Sequence, residues 1–212
     1  MVTNRTHSNT LRISLAVLLA VVTAVSAQLK FSLGPVPYTM QNFGIVLSGL
    51  VLGRYGALAQ LIYLGMIAAG LPVASGFKGG LGVLFGFTAG YLWSFPLAAF
   101  LTGIAREKIW RERNRRELFL LWISSCFAVL PVYLLGFYVF YKFATGGKLS
   151  PLLLKYCRVV ESKLGLKLST FSMIFLASVV IFIPQDYFMD HVLAVLAFAY
   201  VDRLMRERGI EL

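Results

Sequence analysis

The chain has 212 residues, 58% of them hydrophobic and only 14% charged, with a mean hydropathy of +0.78 and a formal net charge of +11. So apolar a composition excludes an ordinary soluble domain. The basic excess flanks apolar runs and is not interleaved with aromatics, so it points to the anionic membrane surface and not to a nucleic acid.

Uncharged runs of 17, 23, 23, 27, 24 and 18 residues follow Arg12, Lys30, Arg54, Lys78, Glu117 and Lys167. A spanning helix needs about 20 apolar residues, because each adds about 1.5 Å against a hydrocarbon core about 30 Å thick. The runs are continuously apolar, whereas barrel strands alternate, so the spacing predicts an all-α membrane protein.

In chain order, residues 1–12 read as a cytoplasmic tail and 13–29 as the first membrane helix. Val25-Ser26-Ala27 resembles a secretory cleavage site. Against cleavage, Ala16, Ala20 and Ala24 recur every four residues and line one face where another helix can approach, which favours a retained span. Such spacing also arises by chance, and the pairs Gly49/Gly53 and Gly86/Gly90 are subject to the same reservation.

An outer loop, 30–42, leads to a short helix, 43–53. A cytoplasmic turn at Arg54 precedes helix 55–70, and an outer loop, 71–82, precedes helix 83–105. A basic loop, 105–117, then leads to helix 118–141. The outer segment 142–183 is expected to hold a short re-entrant or interfacial helix at 169–183. The last span, 184–204, starts with a proline in its first turn.

Placing the tail, Arg54, the 105–117 loop and the C-terminus in the cytoplasm collects 12 of the 20 basic residues on that side. The reading is one integral membrane domain over 1–212, six helices, both termini cytoplasmic, in a bacterial cytoplasmic membrane. Cys126 and Cys157 lack CxxC spacing and suggest neither redox chemistry nor a metal.

Three outer elements carry polar chemistry. The first is Leu33-Gly-Pro-Val-Pro-Tyr-Thr-Met-Gln-Asn42, in which two prolines stiffen the chain while Tyr38, Thr39, Gln41 and Asn42 offer hydrogen bonds. The second runs from Gly70 to Gly82. There Gly79 and Gly80 allow close backbone approach, and Lys78, the only charge, suits a carboxylate. The third is Pro184-Gln-Asp186, which places an acid at the outer edge, with Asp190 one turn deeper. All three fall on one side, as a capture site for a small solute requires, although any one alone is equally a turn or an ion pair.

These residues carry a family resemblance. Gly34-Pro-Val-Pro-Tyr-Thr-Met-Gln41, Gly70-Leu-Pro-Val73, Gly79-Gly-Leu-Gly-Val-Leu-Phe-Gly-Phe-Thr-Ala-Gly-Tyr-Leu92 and Phe95-Pro-Leu-Ala-Ala99 resemble the BioY family, the biotin-specific substrate-binding components of energy-coupling factor transporters. The likeness is dense over 28–105 and thinner beyond. It departs from the family at Gln185, at Met189 where a lysine is usual, and at Phe87 and Ala89.

The resemblance implies a six-helix fold that holds biotin near the outer face as transported ligand, with no cofactor. It implies Lys78 for the valerate carboxylate, and Asp186 with Gln41, Asn42, Thr39 or Thr88 for the ureido ring. Tyr38, Tyr63, Phe77 and Tyr91 are candidates for apolar contact. It also implies a transmembrane scaffold subunit docked on Ala16, Ala20 and Ala24, and partner ATPase subunits, since the chain has no GxxxxGK[ST] motif. Two alternatives stand beside it. One is the same architecture with another vitamin-like substrate. The other is an intramembrane enzyme using Asp186, Asp190 and His191, although adjacent helical residues point about 100° apart and share a metal poorly.

Overall fold

Small residues let the helices of this chain meet backbone to backbone. The computed structural model describes residues 2–31, 38–146, 162, 165 and 169–209. Helix α1 (Val2–Ser26) is followed by a two-stranded antiparallel ribbon, β1 (Lys30–Phe31) with β2 (Tyr38–Thr39), and then by α2 (Gln41–Leu52). A 3-10 turn at Gly53–Tyr55 joins α2 to α3 (Gly56–Ala68), and a short helix α4 (Leu81–Leu84) precedes α5 (Ala89–Ile109). Beyond them lie α6 (Arg115–Ala128), α7 (Leu130–Thr145), α8 (Thr170–Phe175), α9 (Ile183–Gln185) and α10 (His191–Glu207).

Four helical stretches among the described residues are long and apolar enough to cross a membrane: Asn9–Ser26, Gln41–Ala68, Arg115–Thr145 and Thr170–Glu207. The second is a hairpin. Gln60 Nε2 donates to Ser48 Oγ at 2.9 Å, whereas a straight helix would hold these residues about 18 Å apart. The turn was expected at Arg54, and it is there. A Cβ on Gly56 would strike Ser48 and Gly49, so only a glycine lets the two legs close this tightly.

Central α5 packs on α2, α3, α6 and α7. A Cβ on Gly49 would meet Ala99 O and Thr102, and one on Gly103 would meet Gly53 O. The Gly49/Gly53 pair is therefore a working contact surface. Gly90 does the same against Leu135 O of α7.

Helix α1 begins at Val2, well before residue 13, because no glycine or proline interrupts the chain until Gly34. It ends at Ser26, short of the expected 29, where the Gln28 side chain takes the Ala24 carbonyl at 3.2 Å. Ala16 and Ala20 are 0% exposed and Ala24 is 9% exposed, in the core against α2 and α3. The alanine stripe is thus an internal seam, which corrects its reading as a docking face for a scaffold subunit. The outward residues of α1 are bulky: Ile13, Val17, Leu18, Val21 and Val25.

Helix α6 is capped by Asn114, whose Oδ1 accepts Glu117 N at 2.9 Å. The expected 118–141 span runs from Arg115 to Thr145 with a break at Val129, just ahead of Pro131, which has no N–H to continue the ladder. The largest difference lies at 169–183. This stretch is the opening of the last helix and not a separate re-entrant element. Ile181 (φ −63, ψ −25) and Phe182 (φ −85, ψ −31) keep right-handed helical dihedrals from one part to the next. A widened π turn at Leu176–Val180 precedes Pro184, where the ring would otherwise crowd the preceding turn. A second π turn spans Asp186–Asp190.

A polar hub lies in the deep core. Gln60 Nε2 donates to Thr23 Oγ1 (3.1 Å) and Ser48 Oγ (2.9 Å), pinning α1, α2 and α3 together. Each such bond contributes about 1 kcal/mol net, and its loss strands a buried amide.

Candidate functional site

The site forms where the start of α2, the loop after α3, the start of α5, α7 and the last helix meet. At the start of α2, Thr39 Oγ1 donates to Gln41 Oε1 (2.7 Å), and Gln41 Nε2 donates to the Tyr63 hydroxyl (2.9 Å). Tyr63 OH in turn donates to Val73 O at 3.2 Å. Gln41 is thereby fixed through the scaffold beneath it.

The loop carrying Lys78 is held by an antiparallel bridge, Ala74 N to Lys78 O at 2.9 Å and Lys78 N to Ala74 O at 3.3 Å. Gln28 clamps the same loop from α1's end. Its Nε2 donates to Val73 O (3.2 Å) and Ala74 O (3.1 Å), and its Oε1 accepts Phe77 N (3.0 Å). Gly79 lies flush on Leu71 O and Gly70 O, leaving no room for a Cβ.

On the far side Asp186, 4% exposed, accepts the Tyr133 hydroxyl at 2.5 Å. One turn on, Asp190 accepts Phe43 N (3.3 Å) and Gln185 Nε2 (2.8 Å). Asp190 of the last helix therefore holds the first turn of α2, where helix N–H groups lack intrahelical partners, while Asp186 holds α7.

These elements enclose a cavity of about 230 Å³. Its polar lining is Thr39, Gln41, Asn42, Ser75, Lys78, Thr88, Tyr133 and Asp186, and its apolar walls include Phe87, Tyr91, Leu92, Phe95, Val132 and Phe182. No carboxylate among the described residues lies within ion-pair distance of Lys78, so Lys78 and Asp186 do not neutralise each other. An apolar cavity with an ammonium and a carboxylate from separate elements suits a ligand with an anionic group, hydrogen-bond donors and an apolar body.

Of the residues singled out in the sequence, Thr39, Gln41, Asn42, Lys78, Thr88, Tyr91 and Asp186 line this cavity. Tyr91 contributes its ring, since its hydroxyl donates to Ser178 O at 2.6 Å. Gly79 and Gly80 shape the loop without lining the cavity. Phe77 is 72% exposed, with φ +57, and is not part of the cavity lining. Tyr63 sits beneath the site and is fully buried. The Tyr38 side chain and residues 32–37, with their two prolines, lie outside the described residues, as do Cys157 and most of 147–168.

Sequence reasoning missed Gln28, Tyr133, Phe95 and Ser75. Tyr133 lies inside an apolar run and has no motif around it. Gln28 ends a run and looks like ordinary helix punctuation. Asp186, Asp190 and His191 do not converge: Asp190 serves Gln185 and Phe43, while His191 Nδ1 pairs with Ser125 Oγ at 2.9 Å.

Comparison with known proteins agrees with this geometry. A chain described as a probable biotin transporter BioY from Pyrococcus horikoshii is 40% identical over 125 residues, 58% of this chain and 70% of that one. The biotin transporter BioY of Thermotoga maritima is 43% identical over 122 residues, 54% and 68% of the two chains. A crystal structure of the S-component for biotin from an ECF-type ABC transporter superposes with a TM-score of 0.68 over 93% of each chain at 20% identity, which shows the shared fold. The BioY family model matches residues 2–207, and the chain belongs to the BioY family.

Proposed function

We propose that this chain captures biotin at the outer face of a bacterial cytoplasmic membrane and serves as the substrate-binding component of an energy-coupling factor transporter. The observation that carries this reading is the pairing, in one largely apolar cavity, of an unneutralised Lys78 with an Asp186 held by Tyr133. Biotin presents the complement: a valerate carboxylate for Lys78, ureido N–H groups for Asp186, and a thiophane ring with an alkyl chain for Tyr91, Leu92 and Phe95. Asn42, Gln41 and Thr88 would donate to the ureido oxygen or orient the ring, and Thr39, whose hydroxyl proton goes to Gln41, would act through Gln41.

The membrane arrangement we propose is a single multi-pass domain of six crossings with both termini cytoplasmic: α1, α2, α3, α5, α6 with α7, and the helix from α8 to α10. The basic 105–117 loop and the arginines after residue 202 then share the cytoplasmic face, and the cavity opens outward. Transport is driven by partner scaffold and ATPase subunits, and the chain itself catalyses no reaction. The test is uptake of labelled biotin by a biotin-requiring bacterium carrying this chain with an energy-coupling module, with and without Lys78→Ala. Uptake that depends on Lys78 is expected; no biotin uptake in any host background contradicts the proposal.

A further inference from the structure

The last helix and α5 carry a second polar cavity at their other ends. From Asp186 to Asp202 the last helix rises about 24 Å, close to a bilayer's hydrocarbon thickness. There a space of about 340 Å³ opens, lined by Arg106, Trp110, Arg113, Phe198, Asp202 and Arg206, among others. Glu107, also at its rim, is already taken by Arg54 at 2.7 Å. One carboxylate, Asp202, therefore faces three guanidinium groups. It lies 3.2 Å from Arg206 and 3.9 Å from Arg113.

Arg106 makes no close ion pair among the described residues, although Asp202 and Glu107 both attract it through space. Its Cζ lies 5.7 Å from the centroid of the Phe198 ring, and its Nε is buried without a hydrogen-bond partner among the described residues. The Trp110 indole Nε1 is a second buried donor in the same condition, with its ring edge-on to Phe198. Asp202 Oδ2 lacks a hydrogen bond too, but two unpaired buried donors outnumber that one acceptor, and unpaired buried donors are costly, so the cavity is short of an acceptor. The turn bearing Arg113 is built to hold its shape. Glu117 accepts N–H bonds from Arg111 (3.1 Å), Glu112 (3.0 Å) and Arg113 (2.6 Å), fixing Arg113 at φ +60, a conformation L residues seldom adopt.

We propose that this cavity is a phosphate site, in which Arg106, Arg113 and Trp110 Nε1 hold a phosphate group at the cytoplasmic membrane surface. Guanidinium forks match phosphate oxygens, and the excess of arginine over carboxylate supplies the charge. Val51, Val201 and Met205 give the cavity an apolar wall that suits a phospholipid headgroup joined to its glycerol. The site is separate from the outer cavity and shares only its helices.

The test holds the full chain in phosphate-free maltoside detergent alone, with phosphatidylglycerol added, and with inorganic phosphate added. Thermal unfolding and native mass spectrometry are read in each. Phosphatidylglycerol is expected to raise the unfolding midpoint and to remain bound as a one-to-one adduct. Arg106→Gln and Arg113→Gln are each expected to lower its occupancy about fivefold. A shift with inorganic phosphate and none with phosphatidylglycerol would assign the same site to the free anion. If Arg106→Gln does not fold, Arg113→Gln, whose side chain is 41% exposed, carries the comparison. Identical behaviour in all three conditions, or phosphatidylglycerol binding that survives both substitutions, overturns the proposal.

Discussion

The Tyr133 hydroxyl donates to Asp186 Oδ2 at 2.5 Å, joining α7 to the last helix at the wall of the outer cavity. Removing the donor leaves a nearly buried carboxylate short of a partner while changing little volume. Tyr133→Phe is expected to weaken biotin binding roughly tenfold, from a loss of about 1–3 kcal/mol at a charged acceptor. Isothermal titration of purified protein reads this directly, and unchanged affinity would remove the bond from the account.

Lys78 lines the cavity without a carboxylate in ion-pair range. Lys78→Ala is expected to weaken biotin by at least about tenfold, because an anion would then enter an apolar site uncompensated, and to weaken biotinamide far less. Equal losses for both ligands would show that Lys78 does not read the carboxylate.

Gln28 ties three backbone groups of the 73–77 loop to the end of α1. Gln28→Ala is expected to loosen that loop, which carries Ala74 and Ser75 of the cavity wall, without removing a lining side chain. The signature is faster amide exchange at Phe77 and a higher biotin off-rate, with the overall unfolding midpoint little changed. Slow exchange at Phe77 in the variant would contradict this.

Gly103 faces the Gly53 carbonyl so closely that a Cβ does not fit. Gly103→Val is expected to push the α2–α3 turn off α5 and to destabilise the protein by about 1–3 kcal/mol, as overpacking does. Thermal unfolding checks it; a midpoint equal to that of the natural chain would show that the turn relocates freely.

Glu117 supplies a pH dependence. Loss of solvent is the largest single influence and pushes its carboxyl up, but the backbone N–H groups of Glu112, Arg113 and Arg111 together outweigh this and hold it below its ordinary value. A depressed carboxyl contributes order that is complete above the unfolded value and is lost as pH falls through the folded one. Amide exchange at residues 111–113, corrected for intrinsic rate, should stay slow at neutral pH and rise only below the ordinary carboxylate range. In Glu117→Gln it should be fast throughout.

Much of the outer site was legible because its chemistry is unusual for an apolar chain. Lys78 and Asp186 stand out as isolated charges, and Asn42, Gln41 and Thr88 sit beside glycine and proline turns. The helices were legible from run length. The misreadings share a cause: periodicity says that a face is special, not what covers it. Ala16, Ala20 and Ala24 mark a close seam, yet the helix that fills it belongs to the same chain. Pro184 does sit in the first turn of α9 as expected, but right-handed helical backbone also continues behind it through Phe182 and Ile181. Tyr133 and Gln28 left no signal because their roles depend on partners 53 and 45–49 residues away.

Equilibrium binding of labelled biotin to the purified chain, with the amide and the free acid as competitors, tests the central claim most directly. One site per chain, displaced by biotin far better than by biotinamide and losing that preference in Lys78→Ala, is the predicted result. Absence of saturable binding, or displacement by both competitors alike in the natural chain, would contradict it.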